Sequence, residues 1–211
     1  MSDFEIDCEN VMNLAKELSN LGEEIGQLFE KANYSLGNLG EAKRWGGNNY
    51  NTIVTQINKF YLSNMNDIIR KTVVTIPEAI IKGINNYQKA DGNNIYNVSL
   101  YSSRLLQELQ ITPSGTIIFY ESDINEGLQV YKSSLNNVLD LLEVYKEKFN
   151  NIENISWIGF AMTEYKKMIN KISLNAEEIT EDMNRSISYN IERVIEKLNA
   201  AEKSNMATVT G

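Results

Sequence analysis

Histidine is absent from this sequence, and cysteine and proline are scarce, with one Cys and two Pro among 211 residues. Without histidine the chain cannot build an imidazole-based catalytic triad, an imidazole general base or the common zinc sites. The single cysteine, Cys8, has no partner for an internal disulfide, and we interpret it as a small apolar residue of the first helix. We therefore expect neither a metal nor a cofactor.

Clustered positive charge and long apolar runs are also missing. The net charge is −8 and there is no basic run, which argues against nucleic acid and anionic membrane surfaces as partners. The polar faces are acidic and rich in asparagine, which also disfavours insertion of an amphipathic helix into a membrane. The chain starts Met-Ser-Asp-Phe-Glu-Ile-Asp, unlike a Sec signal peptide, so any export from the cytoplasm is expected to use a Sec-independent route.

What the sequence does have is long helical periodicity. Ser2 and Glu5 form a capping box that predicts a helix start close to the N-terminus. Apolar residues then alternate at three- and four-residue spacing, which is typical of a long helix packed along its length. They are Val11, Leu14, Leu18, Leu21, Ile25, Leu28 and Ala32. Gly37, Gly40 and the run Trp45-Gly46-Gly47 end the pattern.

A second helix is predicted from Asn48 or Asn49, either of which can cap it, to about Asp91. Pro77 interrupts its apolar pattern, and Thr75-Ile-Pro-Glu78 is itself a capping box with proline in the first turn. We therefore expect either a kink or a short break near residues 72–76.

Residues 92–122 differ from their surroundings and are predicted to form a linker, because turn-forming Gly, Asn and Pro residues open and interrupt the segment. Within it, Arg104–Gln110 is a candidate for a short helix. Thr116–Tyr120 is β-branched and aromatic, so it is a candidate strand that could pair with Val98–Tyr101.

The second half repeats the pattern of the first. Asp123 and Glu126 form another capping box, and an apolar seam at three- and four-residue spacing follows as far as Ile152. A fourth helix is predicted after it, and the small polar residues from Ser204 onward are expected to fray. The predicted segments are a first hairpin at 1–91, a linker at 92–122, a second hairpin at 123–205 and a flexible tail at 206–211.

These patterns predict an all-α fold with two long antiparallel helical hairpins that form an elongated four-helix bundle. A short irregular or β-hairpin linker would connect them. An amphipathic hairpin cannot bury its apolar stripe alone, but two hairpins can cover each other.

The only two tryptophans, Trp45 and Trp157, each have a glycine two residues later, Gly47 and Gly159. Both motifs fall where an apolar seam ends. A tight reversal between long helices needs a residue that can adopt unusual backbone angles, and a large ring beside it can cover the end of the seam. Both motifs are therefore predicted to form turns between helices.

A heptad helix, a Trp-x-Gly turn and a second long helix resemble the WXG family, helical hairpins secreted through the type VII, or ESX-like, systems of Gram-positive bacteria. Residues 1–91 resemble one member and residues 123–205 resemble another. Ile53 and Tyr165, eight residues after each tryptophan, lie close to where the family places an apolar or aromatic residue. The resemblance implies a family dimer fused into one polypeptide, with the two halves paired within the chain.

Family members often carry Tyr-x-x-x-Asp or Tyr-x-x-x-Glu after the second helix, and Tyr87-Gln-Lys-Ala-Asp91 matches this secretion signal. The letters alone indicate little, because the composition predicts about one such match by chance. The position at the end of the second helix is the stronger indication. The alternative is an ordinary surface tyrosine at a helix end, with a carboxylate nearby.

The second half lacks an equivalent signal, because Tyr189 is followed four residues later by Arg193. In paired family members the signal of one partner lies beside the Trp-x-Gly turn of the other. The resemblance therefore implies that Tyr87 and Asp91 lie near the second turn, at Trp157 and Gly159.

Taken together, the resemblance implies a non-enzymatic substrate or co-secreted partner of a type VII secretion system, found outside the cell or at its surface. Its partners would be the secretion ATPase and a secreted toxin or another WXG-type protein. The heptads fit an alternative equally well, an intracellular helical adaptor or chaperone for a secreted toxin. An enzyme is disfavoured, because Glu177-Glu178 and Glu181-Asp182 sit at helical spacing, as on a solvated face, and no Gly-rich phosphate loop is present.

Overall fold

The computed structural model describes residues 5–113, 115–152 and 157–210, and most of these residues are helical. The first helix, α1, is Cys8–Glu41. A composite helix then runs without a gap over 48–90; its parts are α2 (Asn48–Gln56), a π-helical turn (Ile57–Tyr61), α3 (Leu62–Arg70), a second π-helical turn (Lys71–Thr75) and α4 (Ile76–Ala90). The last two helices are α5 (Glu121–Asn150) and α6 (Phe160–Thr210). The prediction of an all-α chain is confirmed.

Helices α1 and α5 lie side by side in opposite directions. An ion pair of 2.8 Å joins Lys148 Nζ, near the end of α5, to Glu17 Oε2, near the start of α1. At the other ends, Arg44 Nε, just after α1, lies 3.3 Å from Asp123 Oδ2, in the first turn of α5. These contacts join the first half of the chain to the second along the length of both helices.

The composite helix and α6 are also antiparallel neighbours. The Tyr61 hydroxyl donates to the Asp182 carboxylate over 2.9 Å, and the Tyr165 hydroxyl donates to the Ala79 carbonyl oxygen over 2.9 Å. Fully buried side chains from all four helical stretches form one core; examples are Phe29, Met65, Leu135 and Ile187. The apolar seam of each helix is therefore covered by the others, which removes apolar surface from water.

Four two-residue strands accompany the helices: β1 (Glu5–Ile6), β2 (Trp45–Gly46), β3 (Ile118–Phe119) and β4 (Trp157–Ile158). β1 pairs with β4 and β2 pairs with β3, both antiparallel. The predicted pairing of Thr116–Tyr120 with Val98–Tyr101 is therefore wrong. The backbone of β3 is paired instead with the first Trp-x-Gly turn.

The predicted start of the first helix is wrong. Glu5 belongs to β1, and α1 begins only at Cys8, where Oδ1 of Asp7 accepts a hydrogen bond of 3.0 Å from the Asn10 amide. Ser2 lies outside the described residues. The helix starts late because the backbone before it is used to pair with β4.

Two further predicted caps are replaced by other arrangements. The composite helix is preceded by Gly47 as its N-cap, so Asn48 and Asn49 lie inside the first turn. α5 begins after Tyr120, so Asp123 is also inside a first turn rather than before it. Its carboxylate still acts favourably there, because the N-terminal end of a helix attracts negative charge.

Pro77 does not break the second helix. Thr75 has helical backbone angles and makes no side-chain cap, and the chain passes through the π-helical turn at Lys71–Thr75 into α4. In a straight α-helix the carbonyl of Val73 would accept from residue 77, which as proline has no N–H. Here the buried hydroxyl of Ser19 on α1 donates to the Val73 oxygen over 2.8 Å.

The linker contains no helix at Arg104–Gln110, where a short one was predicted. Residues 93–113 form neither helix nor strand, and they run along the composite helix. At the other end of the chain, α6 continues as helix through Ser204 to Thr210, past the point where fraying was predicted.

Candidate functional site

The first Trp-x-Gly turn connects α1 to the composite helix. Trp45 is 1% exposed, and its backbone pairs with Phe119 of β3. Gly47 has φ 91°, and a Cβ at this position would lie 2.8 Å from the Thr116 carbonyl oxygen. Glycine is therefore required here twice, for the backbone angle and for the close approach of the linker.

The second turn, between α5 and α6, has the same construction. Trp157 is also 1% exposed, its backbone pairs with Ile6 of β1, and Gly159 has φ 144°. In both cases the strand that closes the turn stands one residue before the first helix of the opposite half, as Ile6 precedes Asp7 and Phe119 precedes Tyr120. Each half of the chain thus closes the turn of the other half.

A tyrosine contacts the indole ring in each turn. Trp45 and Tyr50 have ring centroids 5.4 Å apart in an edge-to-face arrangement. Burial, with a smaller contribution from the negative charge of Glu41, raises the pKa of Tyr50 to about 12. The ring centroids of Trp157 and Tyr165 lie 5.3 Å apart, so Tyr165, the aromatic residue singled out in the sequence, packs against its own turn. Ile53, its counterpart, is a buried core residue.

Tyr87 and Asp91 lie at the end of α4 and just after it. Both line a cavity of about 780 Å³ whose facing wall includes Glu5 and Ile6 of β1. The Asp91 amide donates to the Tyr87 carbonyl oxygen over 3.0 Å, which completes the last turn of the helix.

The path from Tyr87 to the second tryptophan is short. The pKa of Tyr165 is raised by burial and, to a smaller extent, by Tyr87, which is therefore close to it. Tyr165 in turn contacts Trp157, and β1 pairs with β4. The structure thus brings Tyr87 and Asp91 to the same end of the molecule as Trp157 and Gly159. The Trp45 turn lies at the opposite end of α1.

The cavity beside Tyr87 is acidic. Its lining includes the carboxylates of Glu5, Asp7, Glu9 and Asp91, together with half-buried Cys8. No lysine or arginine lines it. The remaining candidate, Tyr189, is exposed on the middle of α6.

Neither a metal centre nor a membrane span is found in the described parts of the chain. No three His, Cys, Asp or Glu side chains among them are placed to hold a metal ion together. None of the helices in these ranges combines the length and the apolar character that crossing a bilayer requires.

Sequence reasoning missed the strands that close the turns, because a two-residue strand is too short to show alternation. It also missed the contacts of Asn51, Asn58 and Asn66 with the linker. A signal for these existed, since the three asparagines recur at seven- and eight-residue spacing along one helix face.

Comparison of the chain with known protein families, with curated proteins and with solved structures found no match.

Proposed function

We propose that this protein is a non-enzymatic substrate or co-secreted partner of a bacterial type VII secretion system and acts through protein–protein contacts. In this proposal the chain is a fused pair of WXG-type hairpins. The hairpins, α1 with the composite helix and α5 with α6, form one four-helix bundle.

The reciprocal closure of the two turns carries this proposal. β1 precedes the first hairpin and pairs with the turn of the second, and β3 precedes the second hairpin and pairs with the turn of the first. Such an exchange is expected of two equivalent hairpins that pair about a two-fold axis. Joining them in one chain raises their effective concentration and gives a one-to-one ratio.

The position of the candidate signal supports the export part of the proposal. Tyr87 and Asp91 belong to the first hairpin, whereas the turn at their end of the molecule belongs to the second. A receptor such as the secretion ATPase could therefore contact a surface made by both hairpins, and it would discriminate the folded chain from either hairpin alone.

Export can be tested in a bacterium that has a type VII system, with and without its secretion ATPase. Wild type, Tyr87→Ala, Tyr87→Phe and Asp91→Ala would be compared in the culture supernatant. Tyr189→Ala is the matched control, because Tyr189 is an exposed helical tyrosine without a carboxylate four residues later. Thermal melting of each purified variant separates loss of export from loss of folding.

We expect export of wild type and of Tyr189→Ala, dependence on the ATPase, and strongly reduced export of Tyr87→Ala and Asp91→Ala at unchanged melting temperature. Retention of wild type in the cytoplasm of a strain with a working system would contradict the proposal. That result would favour an intracellular adaptor, and a bound toxin would then be sought in the cell.

A further inference from the structure

Four asparagines of the composite helix hold the linker by its backbone. Each one donates its Nδ2 to the carbonyl oxygen of one linker residue and accepts the amide N–H of that same residue on its Oδ1. The pairs are Asn51 with Thr112 (2.8 and 2.8 Å), Asn58 with Leu109 (2.8 and 3.0 Å), Asn66 with Leu106 (3.2 and 2.8 Å) and Asn85 with Tyr96 (3.0 and 2.8 Å). We call these four residues the asparagine ladder.

The spacing of the ladder suits an extended chain. Asn51, Asn58 and Asn66 are separated by seven and eight residues, or about 10.5 to 12 Å along a helix. Their linker partners are three residues apart, and three extended residues cover about 9 to 10 Å. The linker runs antiparallel to the helix, so the two repeats remain in step over these three pairs.

The ladder recognises backbone geometry more than side-chain identity. Both atoms of each amide group are used on main-chain N–H and C=O groups, which every residue except proline supplies. Leu106, Leu109 and Thr112 turn half-buried side chains to the helix, whereas Leu105 and Ile111 are exposed. None of residues 93–113 is fully buried, so the linker lies on the surface of the core rather than within it.

We propose that the ladder is a peptide-binding groove and that it takes an extended segment of a partner polypeptide in place of residues 96–112. The linker itself shows what the groove accepts. The partner segment is extended, has a free amide N–H at every third residue, and carries side chains of about leucine size at those positions. This proposal does not depend on export.

The tethered linker competes with any partner. A linker joined at both ends has an effective concentration of the order of millimolar, so an isolated peptide should bind wild type only weakly. Removal of the cis segment should therefore reveal the binding.

The test uses a full chain in which residues 93–113 are replaced by a Gly/Ser segment of equal length. The probe is a labelled synthetic peptide with the sequence of residues 93–113, followed by fluorescence anisotropy. We expect saturable binding to the replaced chain, and binding about tenfold weaker or worse when Asn58→Ala and Asn66→Ala are added, because four hydrogen bonds are lost.

Backbone recognition has its own control. Peptides N-methylated at Leu106 and Leu109 lose the two amide donors that the ladder accepts, whereas peptides N-methylated at Leu105 and Glu108 keep them. Only the first pair of changes should abolish binding. Equal effects of both, or no binding of the unmodified peptide to a folded replaced chain, would overturn the proposal.

A second measurement covers the case in which the replaced chain does not fold. Arg104 is the only Lys or Arg in residues 93–117, so trypsin cleavage there reports release of the linker in the intact protein. Asn58→Ala with Asn66→Ala should raise the cleavage rate, while Asn64→Ala, whose Nδ2 donates to the Phe60 carbonyl within its own helix, should not. An unchanged rate in the double variant would show that the ladder does not hold the segment, and the groove would be rejected.

Discussion

The hydroxyl of Tyr145, on α5, donates a hydrogen bond of 3.1 Å to the carbonyl oxygen of Thr72 in the second π-helical turn. This carbonyl is available because the Ile76 amide donates to Lys71, one residue further back than in an α-helix. The ring of Tyr145 is fully buried. A helix of the second half thus satisfies a backbone group that the first half leaves open.

Replacing Tyr145 with Phe should destabilise the protein by about 1–3 kcal/mol, because the Thr72 oxygen would remain buried without this donor. Urea unfolding followed by circular dichroism measures the change. Tyr34→Phe is the control, since Tyr34 is 63% exposed and should change stability little. Equal losses in the two variants would mean that the buried hydrogen bond contributes nothing.

Ser19 and Pro77 should be energetically coupled. Ser19→Ala removes the donor to the Val73 oxygen and should cost about 1–3 kcal/mol. Pro77→Ala supplies a backbone N–H at the position from which an α-helix would donate to that oxygen. In a double-mutant cycle we therefore expect Ser19→Ala to cost less in the Pro77→Ala background, and strict additivity would contradict this.

Two glycines of α1 should respond differently to the same substitution. A Cβ on Gly22 would lie 2.5 Å from the Thr72 carbonyl carbon, whereas a Cβ on Gly26 would lie 3.5 Å from its nearest neighbour, a side-chain carbon of Ile69. Gly22→Ala should therefore force the helices apart and cost about 1–3 kcal/mol. Gly26→Ala should be neutral or stabilising by up to about 1 kcal/mol, because alanine favours helix. Thermal melting distinguishes the two.

Stability should fall at alkaline pH. Burial holds the pKa of Tyr131 and of Tyr145 well above the ordinary value, and that of Tyr50 is raised to about 12. Between pH 10.0, the ordinary value for tyrosine, and these folded-state values, the folded state binds more protons than the unfolded state. The free energy of unfolding therefore falls as pH rises in this window.

Urea titrations at several pH values measure that slope. Tyr50→Phe removes one of the titrating groups and should make the decline between pH 10.0 and about 12 shallower. A slope equal to that of wild type would contradict the assignment.

The first Trp-x-Gly turn can be tested against a glycine outside it. Gly47 and Gly92 both have positive φ, 91° and 77°, but only Gly47 has a backbone atom within 4 Å of an added Cβ. Both alanine variants should show the strain of a positive φ, about 1–3 kcal/mol. Gly47→Ala should cost more, because the Thr116 oxygen must also move away. Similar melting temperatures for the two would mean that the linker is not held close to the turn.

The long helices were predictable because apolar spacing at three and four residues reports directly which side faces a core. Val11 to Ala32 and Ile124 to Ile152 show this spacing without interruption. The turns at Trp45 and Trp157 were predictable because glycine permits backbone angles that other residues avoid. Helix starts were less predictable, since Asp123 and Asn48 satisfy a capping pattern locally while tertiary strand pairs set the start elsewhere.

Contacts between distant segments were not predictable from local patterns. The path of the linker depends on hydrogen bonds such as that between Asn58 and Leu109, 51 residues apart. The π-helical turn at Lys71–Thr75 likewise depends on Ser19 and Tyr145, which donate from two other helices. Local sequence indicated a disturbance near Pro77, but not that the helix would pass through it.

The pairing of β1 with β4 also has a consequence for biosynthesis. Ile6 leaves the ribosome early, but its partner Trp157 is made 151 residues later. At typical translation speeds of 5–20 residues per second, this delay is roughly 8–30 s. During that time the nascent first hairpin has a finished helix pair but an open end, and β1 has nothing to pair with. The last step of maturation is therefore a late closure, timed by the arrival of the second tryptophan.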